Sequence, residues 1–553
     1  MSSKNIKKLV LGIFSLSLIG IFSFNSPNER FFEIAKNLDI FATLFKEVNT
    51  YYVDDVNPNQ LISTGIEAML ASLDPYTNYI PEDAIEDFRT MTTGQYGGIG
   101  ALIGQRNGKN MVLMPYKGFP AQQGGLLIGD EILKIDGIEV KNKSTSDISK
   151  LLKGQANTEI NLTITRFGEP EQFDVKLKRE KITIQNIPYH GMVNNDVGYI
   201  KLSDFTAGAS KEVKDAIIDL KGKGAQKIIF DLRDNPGGLL SEAVNISNLF
   251  IPKGSEVVST KGKMTDWNKS YKALNSPVDT DLPIAILTSS RSASAAEIVA
   301  GVIQDYDRGV LVGQKSFGKG LVQATRPLTY NSQLKVTTAK YYTPSGRCIQ
   351  AIDYSHRNED GSVGKVPDSL KVAFKTKIGR IVYDGGGVDP DVLVERKIHA
   401  PISASLVSKG LIFDYATQFR ARNQKIPAPN EFNISEEEYN NFVSWLSDKD
   451  YDYTTKVEKT IDDLIENAKN EQYYEDIDKQ IYNLKAKVQH NKEHDLQKFK
   501  DEIKQLIKEE IISRYYFQQG IIEASFNHDV DVQQALILLN DSQRYNEILT
   551  RTK

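Results

Sequence analysis

The chain has 553 residues, of which 40% are hydrophobic and 25% charged, with a net charge of −4. That length exceeds one hydrophobic core and predicts several domains, while the near-balanced charge gives no electrostatic case for a nucleic-acid partner. A single cysteine, Cys348, excludes an internal disulfide and a cysteine-based metal cluster.

Lys4, Lys7 and Lys8 precede Leu9–Phe24, sixteen residues without a charge. A basic start followed by a short apolar run predicts an export signal over residues 1–25. The run is short for a membrane span and no Ala-x-Ala site follows, so a cleaved signal peptide and an uncleaved anchor both stay open. A lipoprotein is excluded, because no cysteine lies nearby to acylate. Residues 31–93 read as helical: Leu38, Phe41, Leu44, Phe45 and Val48, then Leu61, Ile66, Met69, Leu70 and Leu73, recur at helical spacing, and Leu73–Thr77 closes the segment with a turn. Packing or dimerisation, with no chemistry, is the expected use of this region.

In residues 94–182, Tyr96-Gly97-Gly98-Ile99-Gly100-Ala101 is a glycine loop whose N–H groups can face a carboxylate, followed by a strand to which a peptide tail can add. With Phe119-Pro120-Ala121 and Leu127–Gly137 behind it, the segment resembles a PDZ domain. The resemblance implies a carboxylate-binding loop at Gly98, Ile99, Gly100 and Ala101. Gln122–Gly125 and Gln155–Thr158 depart from the usual pattern, which bears on peptide preference.

The stretch 186–395 alternates strand and helix. Val197–Leu202 reads as a strand, Ser210–Gly222 as a helix with Val213, Ile217 and Leu220 inward, and Lys227–Leu232 as a strand running into Arg233–Gly238. Gly237 and Gly238 let the backbone approach a ligand closely, although Asn-Pro-Gly-Gly is also an ordinary tight turn. Next, the apolar run Leu282–Thr288 meets Ser290–Glu297, after which Ile298, Val299, Val302 and Ile303 recur at helical spacing. Ser294 therefore sits at a strand-to-helix junction, where a hydroxyl can project and the first helical N–H groups can stabilise a negative oxygen. The same Ser294-Ala295-Ala296-Glu297 fits a capping box, in which the serine only accepts a backbone hydrogen bond.

Lys319 lies 25 residues beyond Ser294, after a second apolar run, Gly309–Gly313, that returns the chain along the sheet in βαβ fashion. A buried lysine sheds its proton readily and can then deprotonate a serine. Two rival motifs fail. Gly313–Gly320 nearly matches a phosphate-binding loop, but Gly320 stands where Ser or Thr must bind magnesium. A Ser-x-x-Lys site needs lysine where Glu297 stands. Beyond the lysine, Gln333–Lys340 reads as a further strand.

Ser292–Gly301 followed by Gly313–Gln323 resembles the catalytic region of the C-terminal processing peptidases, or tail-specific proteases, and the likeness covers about residues 35–395. It implies an α/β multidomain fold: an N-terminal helical segment, a PDZ domain inserted before an α/β catalytic core of the ClpP/crotonase type, and a C-terminal helical extension. It further implies Ser294 as nucleophile, Lys319 as general base and Gln323 as the group orienting the lysine. Ala295 with Gly237 or Gly238 would form the oxyanion hole, the two glycines not being distinguished. The implied activity is ATP-independent serine endopeptidase cleavage of proteins with unstructured C-termini, through an acyl-enzyme, with no cofactor or metal. The implied location is the bacterial cell envelope, in the periplasm or on the periplasmic face of the inner membrane. A rival of another class is a non-catalytic PDZ adaptor that presents tails to another protease.

Residues 400–553 lie outside the likeness. Val457, Ile461, Leu464 and Ala468, then Ile477, Ile481, Leu484 and Val488, then Phe499, Ile503 and Leu506 predict long amphipathic helices, packing as a bundle or against a homodimer mate or adaptor protein. His490–His494 fits an inverted zinc-protease pattern, in surroundings too polar for a buried metal pocket.

Overall fold

The computed structural model describes residues 27–396, 398–488 and 492–550. The chain divides into two compact units, residues 1–79 and 80–553. The first carries helices α1 (Pro27–Tyr51) and α2 (Pro58–Ala71). Asn57 caps α2, its side chain accepting the N–H groups of Asn59 and Gln60. Asp74 accepts the N–H groups of Tyr76 and Thr77, forming the turn expected at Leu73–Thr77. Helix α1 leaves Phe31, Phe32, Leu38, Phe41 and Leu44 exposed. The apolar run Leu9–Phe24 lies outside the described residues, and among those described no helix is long and apolar enough to cross a membrane.

The second unit starts at Ile80, and its first α-helix is α3 (Ile85–Thr93), the last part of the region 31–93 that the sequence assigns to the helical segment. The PDZ domain follows as β1 (Gln95–Gly98), β2 (Ala101–Arg106), β3 (Lys109–Pro115), β4 (Glu131–Ile135), β5 (Ile138–Glu139), α4 (Thr145–Leu152), β6 (Glu159–Thr165), β7 (Phe173–Lys178) and β8 (Glu180–Thr183). Its sheet runs β2-β3-β4-β6-β7, with β5 on β4, while β1 pairs with β8. Alternation along β6 buries Ile160, Leu162 and Ile164 against Ile148 and Leu152 of α4. Strand β2 is the sheet edge, and α4 lies beside it.

The catalytic region comprises β9 (Tyr189–Met192), β10 (Val197–Lys201), α5 (Ala209–Gly222), β11 (Lys227–Asp231), α6 (Leu240–Asn248), β12 (Glu256–Gly262), β13 (Lys269–Lys272), β14 (Ile284–Thr288), α7 (Ala295–Asp305), β15 (Val310–Gly313), β16 (Leu321–Pro327), β17 (Gln333–Tyr342) and β18 (Val392–Leu393). These bounds lie within two residues of each strand and helix read from the apolar runs. The main sheet runs β9-β10-β11-β14-β15-β18 and is parallel from β10 onward. Strands β16, β17, β12 and β13 form part of a second, antiparallel sheet.

A parallel sheet must be covered on both faces, and its central strands are accordingly apolar on both sides, with Lys201, Lys227, Asp231 and Thr288 only at strand ends. Ile228, Phe230, Ile286 and Leu311 pack against Val213, Ile217, Ala243, Ile246, Ile298 and Val302 of the crossover helices. The opposite face, with Tyr199, Ile229, Ala285, Leu287, Val310 and Val312, is covered by Phe526, Val532, Ala535, Leu538, Leu539 and Tyr545 from the end of the chain. The C-terminal extension is therefore not wholly separate from the catalytic core. Its helices are α8 (Pro401–Ser408), α9 (Leu411–Arg422), α10 (Glu436–Trp445), α11 (Lys456–Asn470), α12 (Tyr474–Val488), α13 (Lys492–Lys498), α14 (Lys500–Ser525), α15 (Val530–Asn540) and α16 (Ser542–Thr550). Ile402, Leu406, Tyr415, Phe419, Phe442, Ile503, Ile507 and Ile511 form a core of their own, and α15 and α16 roof the sheet. The Arg106 guanidinium of the PDZ domain lies 4.4 Å from the centroid of the Phe413 ring on α9, which docks the PDZ domain on the helical region.

Candidate active site

The C-terminal ends of β11 and β14 and the loop after β15 converge on one point. Ser294 leaves β14 through Ser289–Ala293 and caps α7 with φ 55° and ψ −114°, a conformation a non-glycine residue rarely adopts. Such strain costs of order 1–3 kcal/mol and persists only where surrounding contacts over-determine it. Here they do. The Ser294 N–H donates to Glu297 Oε2 at 2.8 Å, and its carbonyl accepts the Tyr341 hydroxyl at 3.2 Å and the Ile298 N–H at 3.0 Å. The capping box expected at Ser294–Glu297 is thus present, with Glu297 reaching back to the Ser294 N–H, but Glu297 does more.

Glu297 is fully buried. Its Oε1 accepts the Ser316 hydroxyl at 2.5 Å and the Gly318 N–H at 2.7 Å, and its Oε2 accepts the Lys319 N–H at 2.9 Å besides that of Ser294. One carboxylate oxygen therefore holds the backbones of Ser294 and Lys319 together. Burial pushes the Glu297 carboxyl above its ordinary value, against the pull of the Ser316 hydroxyl and the three N–H groups. The lysine loop is pinned further by Gly320, whose N–H donates to Gln350 Oε1 at 2.7 Å and whose carbonyl accepts the Tyr341 N–H at 2.9 Å. Gly318 has φ 88°, and a Cβ there would lie 2.4 Å from that of Ala351. Lys319 itself is half-buried. Gln323 stands on β16 opposite Thr337 and donates to its hydroxyl at 3.2 Å.

The loop after β11 lies against the serine. Asn235, buried, accepts the Ala293 N–H on its carbonyl at 2.9 Å, donates from its side chain to the Leu202 carbonyl at 2.8 Å, and accepts the Gly237 N–H on Oδ1 at 2.8 Å. A Cβ on Gly237, whose φ is 96°, would come within 2.8 Å of both Ser294 Cβ and Ala295 N, so no side chain fits. The two glycines differ. The Gly237 N–H is taken by Asn235, whereas a parallel bridge to Phe205, made by the Gly237 carbonyl and the Leu239 N–H, turns the Gly238 N–H to the other side. Neither the Gly238 N–H nor that of Ala295 has a hydrogen-bond partner among the described residues.

The PDZ loop stands in its own sheet. Ile99 is buried and its carbonyl accepts the Ala121 N–H, while that of Gly100, at φ 72°, accepts the Tyr116 N–H. Gly98 ends β1 and Ala101 begins β2. Glu297 was legible in the sequence only as a capping residue, and Asn235 and Ser316 carried no signal. The pattern His490–His494 lies partly outside the described residues.

A family model described as peptidase family S41 matches residues 196–355, one for a PDZ domain matches 111–166, and one described as a probable PDZ-protease C-terminal helical domain matches 402–539. The carboxy-terminal-processing protease of Bartonella bacilliformis is 38% identical over 349 residues, 62% of this chain and 79% of that protein. A probable CtpA-like serine protease of Staphylococcus aureus is 39% identical over 316 residues, 57% of this chain and 62% of that protein. Among solved structures, the photosystem II D1 C-terminal processing protease is 25% identical with a TM-score of 0.35, covering 64% of this chain and 92% of that one. With identity of this level running across four-fifths of the Bartonella enzyme, and a family model falling on the strands that carry Ser294 and Lys319, the chain belongs to the carboxy-terminal-processing proteases of peptidase family S41, and is a serine-type peptidase with a PDZ domain.

Proposed function

We propose that the protein is an ATP-independent endopeptidase that takes unstructured C-terminal tails on its PDZ domain and cleaves through a serine–lysine dyad. The observation that carries this reading is Glu297 Oε2, one buried acceptor shared by the N–H groups of Ser294 and Lys319. In this reading Lys319 takes the proton of Ser294, whose oxygen attacks the scissile carbonyl; the bond to the leaving amine then breaks as the proton passes to it, and water releases the acyl group. The tetrahedral oxygen is stabilised by the N–H groups of Ala295 and Gly238. Gly238 is preferred to Gly237 because Asn235 occupies the other N–H. With its amide nitrogen committed to Thr337, Gln323 keeps its carbonyl oxygen as an acceptor suited to orienting an ammonium.

The tail's carboxylate is held by Gly98–Ala101, whose inward-turned Ile99 and Gly100 carbonyls favour N–H groups facing outward, and the tail pairs with the edge of β2. The basic, apolar N-terminal segment supports a place in the bacterial cell envelope, by export to the periplasm or by anchorage on the periplasmic face of the inner membrane. The test is purified protein with an unfolded, casein-like substrate. Ser294→Ala is expected to abolish cleavage, and Lys319→Ala to lower kcat about 10²- to 10⁴-fold, both with folding intact. Undiminished cleavage in either variant overturns the dyad, and binding of tails without cleavage by the parent favours the adaptor reading.

A further inference from the structure

The loop from Arg233 to Gly238 is held at its far end by the C-terminal helices. Every N–H of the Arg233 guanidinium is used. Nε donates to Asp231 at 3.1 and 3.0 Å, Nη2 to Asp231 Oδ2 at 2.6 Å and Asp529 Oδ2 at 2.8 Å, and Nη1 to Asp529 Oδ1 at 2.9 Å and Asp531 Oδ2 at 2.8 Å. Asp231 is fully buried and is further tied to the Tyr199 hydroxyl at 2.6 Å and Lys201 Nζ at 3.2 Å. Arg233, Asp529 and Asp531 have side-chain exposures of only 16%, 17% and 15%, which separates this cluster from screened surface ion pairs. Planar, two-pronged pairing of this kind fixes orientation as well as charge.

Both ends of the clamp are rigid. Asp529 caps α15, accepting the N–H groups of Asp531 and Val532, and α15 is seated on the sheet by Val532, Ala535 and Leu538. On the loop side the Arg233 N–H donates to Asp231 and its carbonyl accepts Lys201 Nζ at 2.7 Å. The chain then reverses at Asp234, with φ 63°, and reaches Asn235, which holds both Ala293 and Gly237.

We propose that Asp529 and Asp531 are positioning residues for the peptidase reaction: by completing the cage around Arg233 they set the path of the backbone to Gly238, so the C-terminal helices are a working part of the oxyanion site. This inference rests on the assignment of the Gly238 N–H to the oxyanion. Changing both carboxylates to amides removes their two charges and sets an NH2 in place of one acceptor oxygen of each, so that only Asp231 still holds Nη2 with a full charge, and frees the loop to shift. A displacement of about an ångström at a reacting centre costs on the order of 10²-fold in rate.

The experiment compares the full-length protein with Asp529→Asn/Asp531→Asn and with Asp531→Asn alone. It measures unfolding, kcat and KM on a peptide substrate, and affinity for a peptide aldehyde whose hemiacetal oxygen occupies the oxyanion position. The double variant is expected to stay folded, lose kcat about 10- to 100-fold with KM within about twofold, and lose aldehyde affinity in parallel. The single variant is expected to lose less, with Asp531→Glu restoring part of the loss. Unchanged kcat in a folded double variant overturns the proposal, as does a kcat loss with aldehyde affinity intact. If the double variant unfolds, unchanged kcat in Asp531→Asn overturns it equally. Ser294→Ala run in parallel separates the two readings: cleavage that survives it defeats the dyad, whereas Ser294-dependent cleavage indifferent to the aspartates defeats only the clamp.

Discussion

Ser294 is held in a strained turn by a glutamate that also carries the lysine loop, and that arrangement makes a sharp demand on charge. Four donors converge on Glu297: the Ser316 hydroxyl and the N–H groups of Ser294, Gly318 and Lys319. An amide in its place would set an NH2 against two of them whichever way it turned, leaving buried donors unsatisfied at about 1–3 kcal/mol each. Glu297→Gln should therefore lower kcat about 10- to 100-fold, at 1.4 kcal/mol per tenfold, with KM little changed. Steady-state kinetics checks this, and an unaltered kcat would show that the acceptor shared by Ser294 and Lys319 has no part in the reaction. That Ser294 and Lys319 meet was legible from sequence, because each lies in a dense local motif between apolar runs that mark strand ends, and the structure joins their backbones on Glu297. The Gly237–Gly238 ambiguity was not resolvable there, since it turns on where the Asn235 side chain points.

Among elements, the parallel sheet explains why the chain continues past its catalytic strands. Odd and even positions of β11 and β14 are both apolar, which predicts two covered faces, yet the crossover helices α5, α6 and α7 supply one. The second cover comes from α15 and α16, more than two hundred residues from β14 in sequence. Helical spacing revealed that the extension is helical, but amphipathic periodicity does not say which surface a helix meets, so the bundle was legible and its seat on the sheet was not. Leu538 is fully buried in this second layer. Leu538→Ala should cost about 2–5 kcal/mol, read as a lower midpoint in urea unfolding followed through the peptidase activity. A cost below about 1 kcal/mol would mean that α15 is not part of the core.

For the whole molecule, besides covering the sheet, the helical region meets the PDZ domain where Arg106 lies over Phe413, and grips the loop beside Ser294 through Asp529 and Asp531. The PDZ domain and the loop beside Ser294 thus share one support, and no motif could have paired Arg233 with residues almost three hundred positions away. Every role proposed for the oxyanion loop, Glu297 and the aspartate clamp requires Ser294 to be a nucleophile activated by Lys319. The most direct measurement is covalent labelling with a serine-directed phosphonofluoridate, followed by mass spectrometry of the digested protein. A single adduct on Ser294, formed at least about 10²-fold more slowly in Lys319→Ala, is the predicted result. An adduct on another residue, or labelling of Ser294 at the same rate without the lysine, would contradict it.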